Sequence, residues 1–221
     1  MQDIIKKIYI HQFCLWFLPI LPLVGILFYD SNINPIQIAT LLALWSGIKF
    51  YLDYNPHIFG TRFSRRKLTM IALAGNVFTW LSWGVLQNLY SFLLGMIILA
   101  ISSSLLGKTR YGYYEDIFAK EKQSSKYKGF VIRLKQIRLA SLIMSAIVAA
   151  IAIEYSYVVV LAFCALANVG SIIMLSKLPD AKVFKKFSRI NYMKKIIKST
   201  NYLRKHRYLK IITAFNIFCI S

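Results

Sequence analysis

The amino-acid sequence predicts an all-α polytopic membrane bundle of six transmembrane helices, followed by the start of a seventh. Three observations predict it. Of 221 residues, 57% are hydrophobic and 16% charged, an apolar load that a soluble domain of this length does not carry. Apolar stretches recur at 10–29, 36–53, 69–87, 90–110, 137–155 and 157–177, each near the ~20 residues that a helix needs to cross hydrocarbon. When these stretches are threaded through a bilayer, all 28 Lys and Arg residues fall on one side or within reach of it, as the positive-inside rule requires.

Each stretch is read as a helix because a backbone in lipid must satisfy its own hydrogen bonds. Barrel strands would be about half as long and polar at every second position. The first stretch follows Lys6 and Lys7 but is long, lacks a small-residue cleavage site and precedes five similar runs. It is therefore a span and not a signal peptide. Pro19 and Pro22 inside it predict a kink.

The cation-rich side holds Lys6, Lys7, the loop at 54–68, the loop between spans four and five, and everything after span six. The opposite side holds 30–35, 88–89 and 154–156, with no Lys or Arg. This places the N-terminus in the cytoplasm of a cell membrane. The short outer loops of low charge suggest a bacterial inner membrane. The net charge of +20 reads as a topology signal facing the lipid bilayer, with no nucleic-acid partner.

The chain divides into a six-span unit at 1–177, a basic segment at 178–208 and an apolar run at 209–221. Eleven Lys or Arg residues lie in 181–210, and Val183, Phe187, Ile190, Met193 and Ile197 recur among them at three- and four-residue steps. That pattern reads as an amphipathic cytoplasmic linker, either bound to anionic lipid or simply solvated. The last apolar run is roughly 18 Å long as a helix, short of the ~30 Å core, and reads as an incomplete seventh span.

Enzyme chemistry has no foothold in the sequence. It holds no His-Glu-x-x-His, no Gly-x-x-x-x-Gly-Lys-Ser/Thr and no Gly-x-Ser-x-Gly. Cys14, Cys164 and Cys219 lie far apart in apolar runs and read as small buried hydrophobes. No metal, cofactor or catalytic residue is expected.

Polar groups within spans are functional candidates because burying them is costly. Lys49 and Asp53, one turn apart, are expected to pair. Arg110 either meets an anionic solute or pairs with Glu115. His11 is expected to be hydrogen-bonded, with a titrating role as the alternative. Asn76 and Asn168 are expected to bond between helices.

The loop "HIFGTRFSRRK" at 57–67 resembles one between spans two and three of the major facilitator superfamily, of the form Gly-x-x-x-Asp-Arg-x-Gly-Arg-Arg/Lys. Arg62, Arg65, Arg66 and Lys67 match. Asp53 stands where one bacterial branch has an acid at the end of span two. "GKTRYGYYED" resembles the end of span four in that branch through Gly107, Tyr114 and Glu115. His57, Thr61 and Ser64 depart from the pattern, standing where the family has Gly, Asp and Gly. In the family that Asp helps an ion-pair network clamp two six-span halves together, so Thr61 leaves one sign of the network out.

The resemblance implies a six-helix N-terminal half in which spans one and four line a cavity. Gln12, Trp16, Arg110, Tyr114 and Glu115 are then the candidate solute pathway. The implied function is movement of a small solute by alternating access, with a second half supplied by a second copy or a separate chain. The alternative is a non-transporting truncated remnant or membrane adaptor whose basic linker binds lipid or a partner.

Overall fold

The computed structural model describes residues 2–55, 64–121, 123 and 127–180. Helix α1 (Gln2–Trp16) is followed by a 3-10 turn (Leu21–Leu23) and α2 (Val24–Asp30), which together form span 1. Spans 2 to 6 are α3 (Pro35–Tyr54), α4 (Arg65–Val85), α5 (Leu89–Lys120), α6 (Tyr127–Ala152) and α7 (Tyr157–Ser176). Among the described residues, these six segments are long and apolar enough to cross a membrane. The chain is an all-helical, multi-pass membrane protein.

Local sequence explains where the helices start. Asn34 opens α3 with a reciprocal capping box to Gln37, with Pro35 in the first turn. Ser64, Asn88 and Ser156 cap α4, α5 and α7 by accepting from the backbone N–H of Lys67, Ser91 and Val158. Each cap satisfies a donor that hydrocarbon would leave bare.

Span 1 breaks after Trp16, ahead of Pro19 and Pro22. Span 5 repairs the break with two hydroxyls. The Leu18 N–H donates to Ser145 Oγ at 2.9 Å, and Ser141 Oγ donates to the Phe13 carbonyl at 2.7 Å. The first bond takes up an N–H that the break leaves without an intrahelical acceptor, and the second adds to a carbonyl that also accepts from Phe17 N–H.

Several ends differ from the sequence expectation. Helix α5 runs on to Lys120, ten residues past the apolar stretch at 90–110, so "GKTRYGYYED" is helical. Its 32 residues make a rod of roughly 48 Å, longer than the ~30 Å core. The polar stretch that follows Leu106 therefore carries the helix toward the interface. Helix α6 begins at Tyr127, ten residues before the expected start, which places Lys128, Arg133 and Lys135 on a helix and not in a loop. Hydrophobicity locates the lipid-embedded part of a helix, and backbone hydrogen bonding carries it further. Thr61, Arg62, most of the 178–208 linker and the 209–221 run lie outside the described residues.

The main neighbour pairs are spans 3 and 4, 3 and 6, 2 and 4, 1 and 6, and 1 and 5. Exchanging span 1 with 4, 2 with 5 and 3 with 6 maps this set onto itself. Spans three apart run in opposite directions, so the main neighbour pairs follow the pattern of an inverted repeat. Spans 2 and 5 flank the bundle, while spans 3 and 6 meet each other along its back.

Two apolar layers fill the interior. Near the end that carries the N-terminus, Ile8, Leu105, Tyr113, Tyr114, Phe118, Phe130 and Leu175 pack together. Near the other end, Phe28, Trp80, Trp83 and Phe92 form an edge-to-face aromatic cluster with ring centroids 4.7–5.5 Å apart. Exposed Ile, Leu, Val and Phe side chains cover the outside, as lipid contact requires.

Spans 3 and 4 cross closely because Gly95 has no side chain. An added Cβ there would lie 2.0 Å from Trp83 Nε1 and 2.9 Å from Thr79, against the indole that donates to the Ser91 carbonyl at 3.1 Å. Gly95→Ala should destabilise the bundle by about 1–3 kcal/mol through overpacking, read as unfolding at a lower SDS fraction. Gly25→Ala is the control, since an added Cβ there meets nothing within 4 Å. Equal effects of the two substitutions would contradict this crossing.

Candidate functional site

Two polar constellations occupy the half of the bundle nearest the N-terminus. The first is a clasp at the ends of spans 2, 3, 4 and 6. Three cations open α4, although the positive end of a helix dipole disfavours them. Two find compensation on other helices. Arg65 Nη1 donates to Asp116 Oδ2 of α5 at 2.9 Å. Arg66 donates to the Ser176 carbonyl at the end of α7, where the dipole favours a cation. Lys67 is exposed.

Gly112 lets the Arg65 side chain lie against α5, since an added Cβ would be 2.5 Å from Nη1. Gly112 and Asp116 are one turn apart, so the guanidinium crosses one and bonds the other. Thr69 and Thr109 hydroxyls join at 2.9 Å on the same pair of helices, and Tyr113 Oη donates to the Pro179 carbonyl at 2.7 Å.

Asp53 holds span 2 to span 4. Its carboxylate accepts from Ser104 Oγ at 2.6 Å and lies 3.9 Å from both Lys49 and Lys108 Nζ. The expected Lys49–Asp53 pair forms. At 3.9 Å and partial exposure such ion pairs contribute little, and the Ser104 hydrogen bond fixes the geometry.

The second constellation lies further into the bundle. Arg110 is six residues before Asp116, about 9 Å along α5, and is 6% exposed. No ion pair joins it to Glu115, which is exposed, and the acid on that turn that engages an arginine is Asp116 with Arg65. The Arg110 guanidinium lies instead 5.5 Å from the Trp16 ring centroid and 4.7 Å from that of Tyr111. Arg138 of span 5 stacks on Trp16 at 3.7 Å. The two guanidiniums therefore share one indole and are close enough to repel each other.

Helical spacing explains the assembly. Gln12 and Trp16 are one turn apart on α1, as are Arg110 and Tyr114 on α5, so two polar stripes face each other. The Tyr114 ring meets His11 edge-on, with centroids 6.3 Å apart. His11 Nδ1 bonds to Ser171 of α7, 3.1 Å from its carbonyl and 2.7 Å from Oγ. Donation to the carbonyl leaves Nε2 as an acceptor.

Several atoms here are buried without a partner: both amide atoms of Gln12, Trp16 Nε1, Arg110 Nε, Tyr114 Oη and His11 Nε2. Such groups cost roughly 1–3 kcal/mol each when unsatisfied. Spans 1 and 4 thus bring Trp16 to Arg110 and His11 to Tyr114, with Gln12 buried one turn before Trp16. Glu115 stands outside the cluster.

Sequence reasoning missed Arg138, Asp116, Ser104 and Ser171. Arg138 falls inside the expected fifth span, at 137–155, but nothing in the sequence pairs it with Trp16 of span 1. Asn168 also departs from expectation, since its amide donates back to the Cys164 carbonyl of its own helix at 2.8 Å. Asn76 leaves its Oδ1 unpartnered, so neither forms the interhelical bond expected of it. Among the described residues no cluster of metal-ligating side chains occurs.

The clasp makes a separable prediction. Arg65→Gln and Asp116→Asn, alone and together, should show a coupling energy of about 1.5–3 kcal/mol, the range for hydrogen bonds between charged groups. A double-mutant cycle in SDS unfolding measures it. Additive effects would mean that the two side chains do not hold spans 3 and 4 together.

Compared with family models, with curated proteins and with solved structures, the chain matches none.

Proposed function

We propose that the chain is one half of a membrane transporter of the major facilitator type, moving a small solute by alternating access. The observation that carries this reading is the inverted exchange of spans 1–3 with spans 4–6, which makes spans 1 and 4 equivalent. Transporters built from such repeats hold their solute where the repeats meet. Here that place holds buried side-chain atoms of His11, Gln12, Trp16, Arg110 and Tyr114 that lack a hydrogen-bond partner. A structural interior satisfies its buried polar groups from within, whereas a solute site leaves them for a ligand or water.

In this reading Asp53, Arg65, Arg66 and Lys67 form the cytoplasmic rim, and the N-terminus lies in the cytoplasm. The membrane is a bacterial inner membrane. The clasp locks spans 2, 3, 4 and 6 into one rigid body, which is the unit that rocks. Six spans supply one wall of a solute path, so a second six-span half faces them, whether from a second copy, a separate chain or further residues of the same polypeptide.

The test is the mass of the solubilised full chain, corrected for bound detergent. We expect a dimer or a complex with one further six-span chain. A monodisperse monomer with no co-purifying partner would overturn the transport reading and favour a membrane adaptor acting through its basic linker.

A further inference from the structure

We propose that the Arg110–Arg138 cluster is a binding site for an oxyanion, a carboxylate or phosphate group carried by the solute. The inference rests on the transporter reading for the identity of the ligand, but the site stands on its own geometry.

Three observations converge. The first is charge. Two guanidiniums flank one indole, Arg138 at 3.7 Å and Arg110 at 5.5 Å. All eight acids of the chain are among the described residues, and none forms an ion pair with either arginine. Like charges this close within a membrane-spanning bundle call for a counter-anion.

The second is donor excess. Arg110 Nε, Gln12 Nε2, Trp16 Nε1 and Tyr114 Oη are all unpartnered donors, and Gln12 and Tyr114 are fully buried. A ligand that satisfies them must offer several acceptor atoms and few donors, which describes an oxyanion. The acceptors Gln12 Oε1 and His11 Nε2 can take a hydroxyl or protonated nitrogen elsewhere on the same molecule.

The third is graded burial. Arg110 is almost fully buried, whereas Arg138 is exposed. In the proposed site Arg110 is the inner arginine and Arg138 the outer one. The planar forks suit bidentate contact with a carboxylate or phosphate. The Arg138 stack on Trp16 fixes one fork before the ligand arrives.

A lipid headgroup carries the same chemistry as a soluble anion, and one experiment separates them. The full chain in an uncharged detergent is unfolded thermally in chloride, then with inorganic phosphate or benzoate at matched ionic strength. At least one of these probes should raise the midpoint saturably. Arg138→Gln should weaken that response at least tenfold, while Arg138→Lys keeps part of it. In chloride alone, Arg138→Gln should be as stable as the native chain or more so, because a repulsion is removed; a merely structural arginine would show the reverse.

In a parallel arm, phosphatidylglycerol is added to mixed micelles. Stabilisation by that lipid alone, dependent on Arg138, would keep the oxyanion site and overturn its assignment to a transported solute. Stabilisation by a soluble anion in a strictly monomeric protein would keep the site and overturn the transporter reading. No Arg138-dependent stabilisation by phosphate, benzoate or lipid would overturn the site itself.

Discussion

Hydrocarbon offers a polar group no partner, and that constraint organises this molecule. It forces each apolar stretch into a helix and demands a cap at helix starts. Where span 1 breaks ahead of Pro19 and Pro22, it also demands a replacement partner for the Leu18 N–H, and Ser145 of span 5 supplies it. The same constraint makes the exceptions informative. Most polar side chains on the spans find a partner on a neighbouring helix or turn back on their own, as Asn168 does. The set around Trp16 largely does not.

The two pseudo-equivalent contacts are built from different chemistry. Span 2 is joined to span 4 near the interface by Asp53 with Ser104 and Lys108. Span 5 is joined to span 1 deeper in the bundle by two neutral hydroxyls. The difference follows from depth, because ions are tolerated near water and hydroxyls further in. Of the cations on span 5, Arg138 is turned toward Trp16. An arrangement symmetric in its helix neighbours is therefore asymmetric in charge, and the excess cation faces span 1 and span 4.

Much of the architecture was legible in the sequence. Span number, order and approximate position follow from the apolar stretches, the break in span 1 follows from its prolines, and the Lys49–Asp53 pair follows from one-turn spacing. The ends of α5 and α6 were not legible, since a helix continues past lipid wherever its own hydrogen bonds and a neighbouring helix support it. The partner of Arg138 was not legible either, because its stack on Trp16 joins spans 1 and 5, far apart in the sequence. Pairing between distant residues was hidden too. The choice of Asp116 over Glu115 as the acid that meets an arginine depends on which face of α5 turns toward α4, and composition does not encode that.

The central claim is that the Trp16–Arg110–Arg138 cluster opens to water inside the bundle and not to lipid. The most direct test uses the chain in sealed vesicles with its three native cysteines replaced by alanine. Arg138→Cys and Leu139→Cys are compared for reaction with a membrane-impermeant thiol reagent. Both positions are exposed and lie at one depth, but they are turned about 100° apart on α6. The account predicts rapid labelling at 138 and little labelling at 139. Equal labelling at both positions, or none at 138, would contradict it.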